Sequence, residues 1–152
     1  MRKQQGFTLI EVLIAVVILA VGLLGTASLT MNSLQSSQAA ALRSQASALA
    51  GDLGERMRAN SDFAISNNTD YLLAANAGAT SKPSCADSNT GCSTADHAQR
   101  DLFEWRASLA ANLPGGTAVI TKPGNRQYQL ALTWNDAGNS GSASSYTLRI
   151  DL

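Results

Sequence analysis

The sequence predicts an α+β fold in which a long N-terminal helix packs against a small antiparallel β-sheet, with one additional short helix. An apolar run from Phe7 to Ala27 is followed by apolar residues at helical spacing as far as Met57. Apolar and polar residues then alternate in Gln127–Trp134 and in Ser145–Leu152, which is typical of strands with one buried face.

The composition limits the class of protein. The chain has 152 residues and a mass of 15.8 kDa, enough for one domain with a core and an appendage. Eleven basic residues balance eleven acidic ones, and only 14% of residues are charged. This balance argues against a basic surface that coats nucleic acid and against an acidic tail.

The N-terminal segment combines a short basic leader with an apolar span. Met1–Gly6 is polar and carries two basic residues, and Phe7–Ala27 is long enough to cross a bilayer as a helix of about 30 Å. Basic residues before the span favour a cytoplasmic N-terminus and an outward location for the rest of the chain. A secretory signal peptide and a plain single-span anchor are alternatives for the same pattern.

Glu11 is a carboxylate inside the apolar span, and neither alternative explains it. Inserting such a group costs about 2.5–3.5 kcal/mol, and less near the interface, so it usually has a partner. A cut before Phe7 creates a free amine one helical turn away. The amine of one subunit can then neutralise Glu11 of a neighbour, because a buried pair of opposite charges costs far less than either charge alone.

These residues carry a resemblance to a known family. Gly6-Phe7-Thr8-Leu9-Ile10-Glu11 after a basic leader resembles the class III signal of type IV prepilins and of the related type II secretion pseudopilins. The resemblance implies cleavage between Gly6 and Phe7 by a prepilin peptidase and N-methylation of Phe7. It also implies that Glu11 sets the register between subunits during assembly.

The helix continues beyond the apolar span. From Leu34 onward an apolar stripe recurs at spacings of three and four residues, formed by Leu42, Ala46, Leu49, Leu53 and Met57. No proline interrupts the pattern, so we expect one helix from about Phe7 to about Arg58. Gly22 and Gly25 lower the helix propensity and allow either local melting or close helix packing.

A loop region and a second helix follow. Residues 61–93 are rich in Asn, Ser, Thr, Ala and Gly, and few apolar side chains pin them to a core: Phe63, Ile65 and the Tyr71-Leu72-Leu73 cluster. Asp96–Asn112 is predicted as a helix that covers the sheet with one apolar face, formed by Ala98, Leu102, Trp105 and Leu109. Thr94 or Asp96 can cap its start, and Pro114-Gly115-Gly116 ends it.

Cys85 and Cys92 are the only cysteines. An outward location places them in an oxidising compartment, which favours a disulfide between them worth about 2.5 kcal/mol. A metal site built from both cysteines with Asp96 and His97 is the alternative. That site lacks a second Cys pair or a second His, so the disulfide is preferred.

The C-terminal part is predicted as a three-stranded antiparallel meander. Thr117–Lys122 forms the first strand and Pro123-Gly124-Asn125 the turn. Gln127–Trp134 forms the second strand, and a Gly- and Ser-rich loop, Asn135–Ser144, leads to the third, Ser145–Leu152. The buried faces are expected to comprise Tyr128, Leu130, Leu132 and Trp134 on the second strand and Tyr146, Leu148, Ile150 and Leu152 on the third. Both tryptophans are predicted to lie in the core.

This order of elements resembles the pilin fold, and within that superfamily the chain is similar to PilV-type minor pilins, also called type IV pilus modification proteins. The similarity rests on Arg43-Ser44-Gln45-Ala46, Asp52 with Arg56-Met57-Arg58-Ala59-Asn60, the Cys pair, Asp101 with Trp105, and Leu113-Pro114-Gly115-Gly116. Many major pilins have a proline within the apolar helix and a disulfide-bounded loop near the C-terminus. This sequence has neither feature.

No catalytic constellation follows from the sequence. His97 is the only histidine, and its spacing places no nucleophile beside it. Gly115-Gly116 lacks the surroundings of a phosphate-binding loop. The head arginines are not clustered, so direct nucleic-acid binding is not expected: Arg100, Arg106, Arg126 and Arg149. We expect no enzymatic activity, no cofactor and no metal.

The sequence therefore predicts a minor pilin with a leader (1–6), a transmembrane and filament-core helix (7–27), an amphipathic continuation (28–60) and a periplasmic head (61–152). The resemblance implies a tip complex with other minor pilins that initiates pilus assembly and supports twitching motility, adhesion or DNA uptake. Its expected partners are the major pilin, prepilin peptidase, the inner membrane before assembly, and an adhesin at the tip. A type II secretion pseudopilin and a membrane-anchored periplasmic binding domain are the alternatives.

Overall fold

The computed structural model of the protein describes residues 8–66, 69–75, 77, 81, 83, 91–136 and 143–152. The chain divides into two compact units, Met1–Gln38 and Ala39–Leu152. The described helices and strands confirm the predicted α+β class. Their bounds are α1 (Leu9–Ala59), α2 (Ser61–Ile65), α3 (Thr94–Asn112), β1 (Thr117–Gly124), β2 (Gln127–Asn135) and β3 (Ala143–Asp151).

The first unit contains the N-terminal part of α1. The predicted long helix is confirmed over Leu9–Ala59, and its backbone bonding begins where Glu11 N–H donates to the Thr8 carbonyl oxygen at 3.1 Å. Every residue described up to Gln38 is exposed, including large apolar ones such as Leu9 at 87%. By length and composition, this described helix can cross a membrane.

The second unit buries the other part of α1. Ala46, Leu53 and Met57 are fully buried and Leu42 and Leu49 are half-buried, as the apolar stripe predicts. Leu34, where the pattern begins, is 57% exposed because it precedes the packed part of the helix.

Two small residues that the stripe omits also lie on the buried face of α1, Ala50 and Gly54. A Cβ atom at Gly54 would lie 3.7 Å from Ile150 Cγ1 of β3. This is an ordinary van der Waals distance, so Ile150 packs against α1 at Gly54 and a methyl group at this position would fit.

Helix α2 replaces part of the loop predicted for residues 61–93. Its Ala64 is buried, and the Ala64 carbonyl oxygen accepts a hydrogen bond from the Tyr128 hydroxyl at 2.7 Å. Lys122 Nζ donates to the carbonyl oxygens of Ala64, Ile65 and Ser66 at 2.7, 3.2 and 2.6 Å. The ammonium group thus satisfies the carbonyl end of α2 and ties it to the sheet.

Helix α3 covers the core as predicted, with Ala98, Leu102, Trp105 and Leu109 buried. It starts two residues earlier than expected, and its cap is neither Thr94 nor Asp96. Ser93 is the N-cap, because its hydroxyl oxygen accepts a hydrogen bond from Asp96 N–H at 3.2 Å. The predicted stop is confirmed: α3 ends at Asn112, and Gly115 adopts a positive φ of 63°.

The three strands form one antiparallel sheet in the order β1-β2-β3, as predicted. Along β2 the expected alternate residues are buried, and on β3 Ile150 is buried while its expected neighbours are half-buried. The turn is displaced from its predicted position. β1 continues to Gly124, which pairs with Gln127, so Asn125 and Arg126 make the turn.

An isolated bridge joins Leu73 to the outer edge of β1. Leu73 N–H donates to the Ile120 carbonyl oxygen at 3.2 Å, and Ile120 N–H donates to the Leu73 carbonyl oxygen at 2.9 Å. Tyr71 and Leu73 are buried, whereas Leu72 is exposed. Two residues of the Tyr71-Leu72-Leu73 cluster therefore pin this segment to the core, as the sequence predicts.

Two glycines provide a test of the fold. Gly115 has a left-handed backbone, which alanine rarely adopts, and a Cβ atom there would lie 2.5 Å from Asn135 Nδ2. Gly115→Ala should therefore lower the free energy of unfolding by about 1–2 kcal/mol. At Gly51 nothing lies within 4 Å, so Gly51→Ala should raise it by up to about 1 kcal/mol through helix propensity. Urea unfolding of the full chain in detergent, followed by the fluorescence of buried Trp105 and Trp134, measures both. Equal midpoints for the two variants would contradict the backbone at Gly115.

Candidate functional site

The first functional element is the start of α1. Glu11 lies in the first turn of the helix and is the only charged residue between Thr8 and Gln38. It is exposed, and its neighbours along the helix are exposed apolar residues such as Ile10 and Val12. The predicted cleavage residues Gly6 and Phe7 lie outside the described residues, so the processing site and the assembly role of Glu11 remain predictions.

This arrangement is suited to association and not to catalysis. An apolar helix surface of this extent is stable only when lipid or other helices cover it. Within such a covered environment Glu11 is the one ionisable group that the described part of this unit offers for a specific contact. A cation from a neighbouring chain is the partner that lowers the cost of its burial.

The second element lies in the other unit, where polar side chains of α1 and α3 meet. We call it the Asp101 cluster, and it comprises Asp52, Arg56, Asn60, Tyr71, Asp101 and Glu104. Asp101 is only 9% exposed although it lies on the apolar face of α3. The Tyr71 hydroxyl donates to Asp101 Oδ2 at 2.9 Å, and Arg56 Nη1 lies 3.6 Å from Asp101 Oδ1.

Arg56 is the central cation of the Asp101 cluster. Its Nε donates to Asp52 Oδ2 at 3.0 Å along α1, and its Nη1 donates to Glu104 Oε2 at 3.0 Å on α3. Partial burial opposes the charge, but the hydrogen bonds to Glu104 and Asp52 outweigh it and raise the pKa of Arg56. The guanidinium therefore stays charged and joins the two helices.

Tyr71 and Asn60 complete the cluster. Burial raises the pKa of the Tyr71 phenol above its ordinary value, and the nearby Asp101 carboxylate adds to this effect. Tyr71 consequently remains a neutral donor to Asp101. Asn60 Nδ2 donates to the Tyr71 hydroxyl oxygen at 3.2 Å and to the Thr94 carbonyl oxygen at 2.8 Å, which ties the end of α1 to the start of α3.

A hydrogen bond from Trp105 fixes the same two helices farther along. Its indole Nε1 donates to the Leu49 carbonyl oxygen at 2.8 Å while the ring is completely buried. Trp105 and Trp134 are both core residues, as predicted. Four of the motif residues thus contribute to holding α3 against α1: Arg56, Asn60, Asp101 and Trp105.

The structure describes one residue of the predicted cysteine pair. Cys92 lies just before α3, whereas Cys85 lies outside the described residues. The disulfide therefore remains a prediction. His97 lies in the first turn of α3 and is half-buried. Among the residues that the structure describes, no group of three or more His, Cys, Asp and Glu side chains is placed to hold a metal ion.

The sequence alone did not indicate that Tyr71 and Asp101 are partners. Tyr71 was expected only to anchor the loop segment, and Asp101 only to belong to a motif. A signal for Asp101 exists, because it is three residues after Ala98 and four before Trp105 and so falls on the apolar face of α3. A carboxylate in that position needs a cation, and Arg56 is the matching residue in the motif on α1.

A long helix with an exposed apolar part and one acid near its start, together with an α+β head, defines a pilin subunit. The profile of the prokaryotic N-terminal methylation motif matches residues 1–27, and that of type IV pilin Tt1218 matches residues 28–103. The chain belongs to the Tt1218-like family of type IV pilins. No curated protein and no solved structure matches it significantly.

Membership of this family has direct consequences. The protein is a structural subunit and not an enzyme. A prepilin peptidase processes it through the leader motif, and it passes from a membrane-anchored state into a pilus with other pilins. The matched range 28–103 contains every member of the Asp101 cluster except Glu104.

Replacing Arg56 tests the Asp101 cluster. Arg56→Met should lower the free energy of unfolding by about 2–3 kcal/mol, because it leaves the buried Asp101 carboxylate without its cation. Arg58→Met is the matched control, since Arg58 pairs with the exposed Glu55, and it should change the value by less than about 0.5 kcal/mol. Urea unfolding of the full chain in detergent measures both. Similar losses in the two variants would contradict the structural role of the cluster.

Proposed function

We propose that the protein is a minor pilin that helps to initiate type IV pilus assembly in a tip complex with other minor pilins. The observation that carries the proposal is Glu11, an acid at the start of an exposed apolar helix within the matched methylation motif. The PilV-type resemblance of the head residues, and an α1 that no proline interrupts, favour a minor role over that of the major subunit.

The proposed mechanism has three steps. The apolar part of α1 first inserts into the inner membrane, with the head on the periplasmic side because basic residues precede the span. Cleavage after Gly6 then exposes the amine of Phe7. As helices bundle and leave the lipid, that amine pairs with Glu11 of a neighbouring subunit, which offsets the cost of burying either charge.

The head is proposed to be the recognition part of the subunit. The Asp101 cluster and the Trp105 hydrogen bond hold α3 against α1, so the surface presented to other pilins is defined in shape. A disulfide between Cys85 and Cys92 would restrain the segment before α3 in the oxidising periplasm. Twitching motility and adhesion are the activities that such a subunit would support from within the filament.

Intact mass of the protein from its native membrane tests the processing steps. We expect a chain that begins at N-methylated Phe7 and gains the mass of two hydrogens on reduction, as a Cys85–Cys92 disulfide requires. A chain that retains Met1 would contradict cleavage at the leader. A mass that reduction leaves unchanged would contradict the disulfide alone.

Neutral variants of Glu11 test the assembly step. Glu11→Gln should leave membrane insertion intact and lower incorporation into pili at least about tenfold, because loss of the ion pair removes 1.4 kcal/mol or more. Glu55→Gln is the matched control, since it removes an exposed carboxylate from the same helix and should incorporate normally. Quantitative mass spectrometry of sheared pili and of membranes measures both.

Two results would contradict the proposal. Normal incorporation of Glu11→Gln would remove the basis for the charge-pairing mechanism. Wild-type protein present in pili at the abundance of the main subunit, or absent from pili and found with a secretion complex, would contradict the minor-pilin role.

A further inference from the structure

The two edges of the sheet differ in their protection. The outer edge of β1 is bonded to Leu73, and the register between β1 and β2 shifts between Thr121 and Gly124. β3 forms the other edge, and all nine of its residues pair with β2 without a shift. This strand also contains no proline and no lysine, which are residues that commonly block strand addition. Within the described chain, β3 is therefore the edge that is open to another strand.

Hydrogen bonding to β2 uses every second residue of β3. Leu152 N–H donates to the Arg126 carbonyl oxygen at 2.9 Å just beyond the end of the strand. Bonded and non-bonded pairs alternate in an antiparallel ladder, so the even-numbered residues of β3 bond to β2. The N–H and C=O groups of the odd-numbered residues point away from β2, and three of these residues lie in the middle of the edge: Ser145, Thr147 and Arg149.

The register of β2 leads to the same assignment. Leu130 lies opposite Ile120, and both peptide groups of Ile120 bond to Leu73 on the far side of β1. The peptide groups of Leu130 therefore face β3, where its partner is Leu148. Thr147, the next residue along β3, consequently directs its N–H and C=O to the open edge.

A row of outward N–H and C=O groups is complementary to an extended peptide, because another strand presents the same groups at the same spacing. Tyr146 and Leu148 are half-buried at this edge, so apolar side chains of an added strand would cover them on the core side. Arg149 and Asp151 are exposed on the opposite side. An acidic residue opposite Arg149 and a basic residue opposite Asp151 would complete the match.

We propose that the β3 edge binds an extended segment of a different pilin, which adds to the sheet as a fourth strand. Identical subunits of a filament make head-to-tail contacts, so two β3 edges do not meet in it. The β1 edge of a second copy is closed at Ile120 by the bonds to Leu73. The contact deepens the proposed function, because it rests on assembly with other minor pilins.

Amide hydrogen exchange of the full chain in detergent tests whether the edge is open. The amides of Ser145, Thr147 and Arg149 should exchange at least about tenfold faster than those of Tyr146 and Leu148, because only the latter two are bonded to β2. Equal exchange rates for the two sets would overturn the proposal.

A proline at position 147 tests the contact in assembled pili. Thr147→Pro removes the outward N–H and blocks the approach of a strand, but it leaves the ladder to β2 intact, so incorporation into pili should fall at least about tenfold. Thr147→Ser keeps the N–H and is the matched control, which should incorporate normally. Mass spectrometry of sheared pili and of membranes measures both, and urea unfolding checks that the proline variant is folded.

Photocrosslinking identifies the occupant without depending on the proline variant. The full chain with benzoylphenylalanine in place of Ser145 is assembled into pili and irradiated, and mass spectrometry should find it linked to a segment of another pilin. A link to a second copy of this chain, or no link, would overturn the proposal. Normal incorporation of Thr147→Pro together with defective Glu11→Gln overturns the strand contact alone, whereas normal incorporation of both overturns the proposed assembly mechanism as well.

Discussion

The exposed apolar surface of α1 before Gln38 is the constraint on which the rest of the protein depends. Its large side chains, from Leu9 to Leu34, are all at least half exposed. Lipid or neighbouring helices must cover them, because water does not tolerate a contiguous apolar surface of this size. The head consequently has to close its own core around the later part of α1, and this explains why apolar residues divide so unevenly along the chain.

The distribution of charge follows the same division. The described part of the first unit has one charge, Glu11, whereas Arg56 in the second unit meets carboxylates on both α1 and α3. Because Arg56 stays charged and Tyr71 stays protonated, Asp101 is bonded from both sides. Packing of α3 on α1 thus combines a nonspecific apolar contact with a directional polar contact between specific partners.

The sequence predicted the elements whose periodicity extends over several turns or alternations. The stripe from Leu42 to Met57 and the alternation along β2 are long enough to identify a buried face. Helix α2 has only five residues, which is too short for a helical period, and its end is satisfied by Lys122 from a distant strand. The cap of α3 was misplaced because Ser93, Thr94 and Asp96 all have side chains that can cap.

The candidate site was predictable to a similar extent. Glu11 stands out because a charge in an apolar run is costly wherever the chain folds. Asp101 does not stand out in the sequence, because its burial is tolerated only when Arg56 and Tyr71, from other segments, contact it. Sequence spacing gives the face on which a residue lies, but it does not give the partner that tertiary packing brings to it.

The bridge at Leu73 affects whether strands from other chains can add to the edge of β1. An open strand edge is a template on which other chains can add, and uncontrolled sheet growth leads to aggregates. At Ile120 both peptide groups on the outer edge of β1 are already bonded to Leu73, and Pro123 near the end of the strand has no N–H to donate. At Ile120 the outer edge of β1 is therefore closed to the addition of another strand.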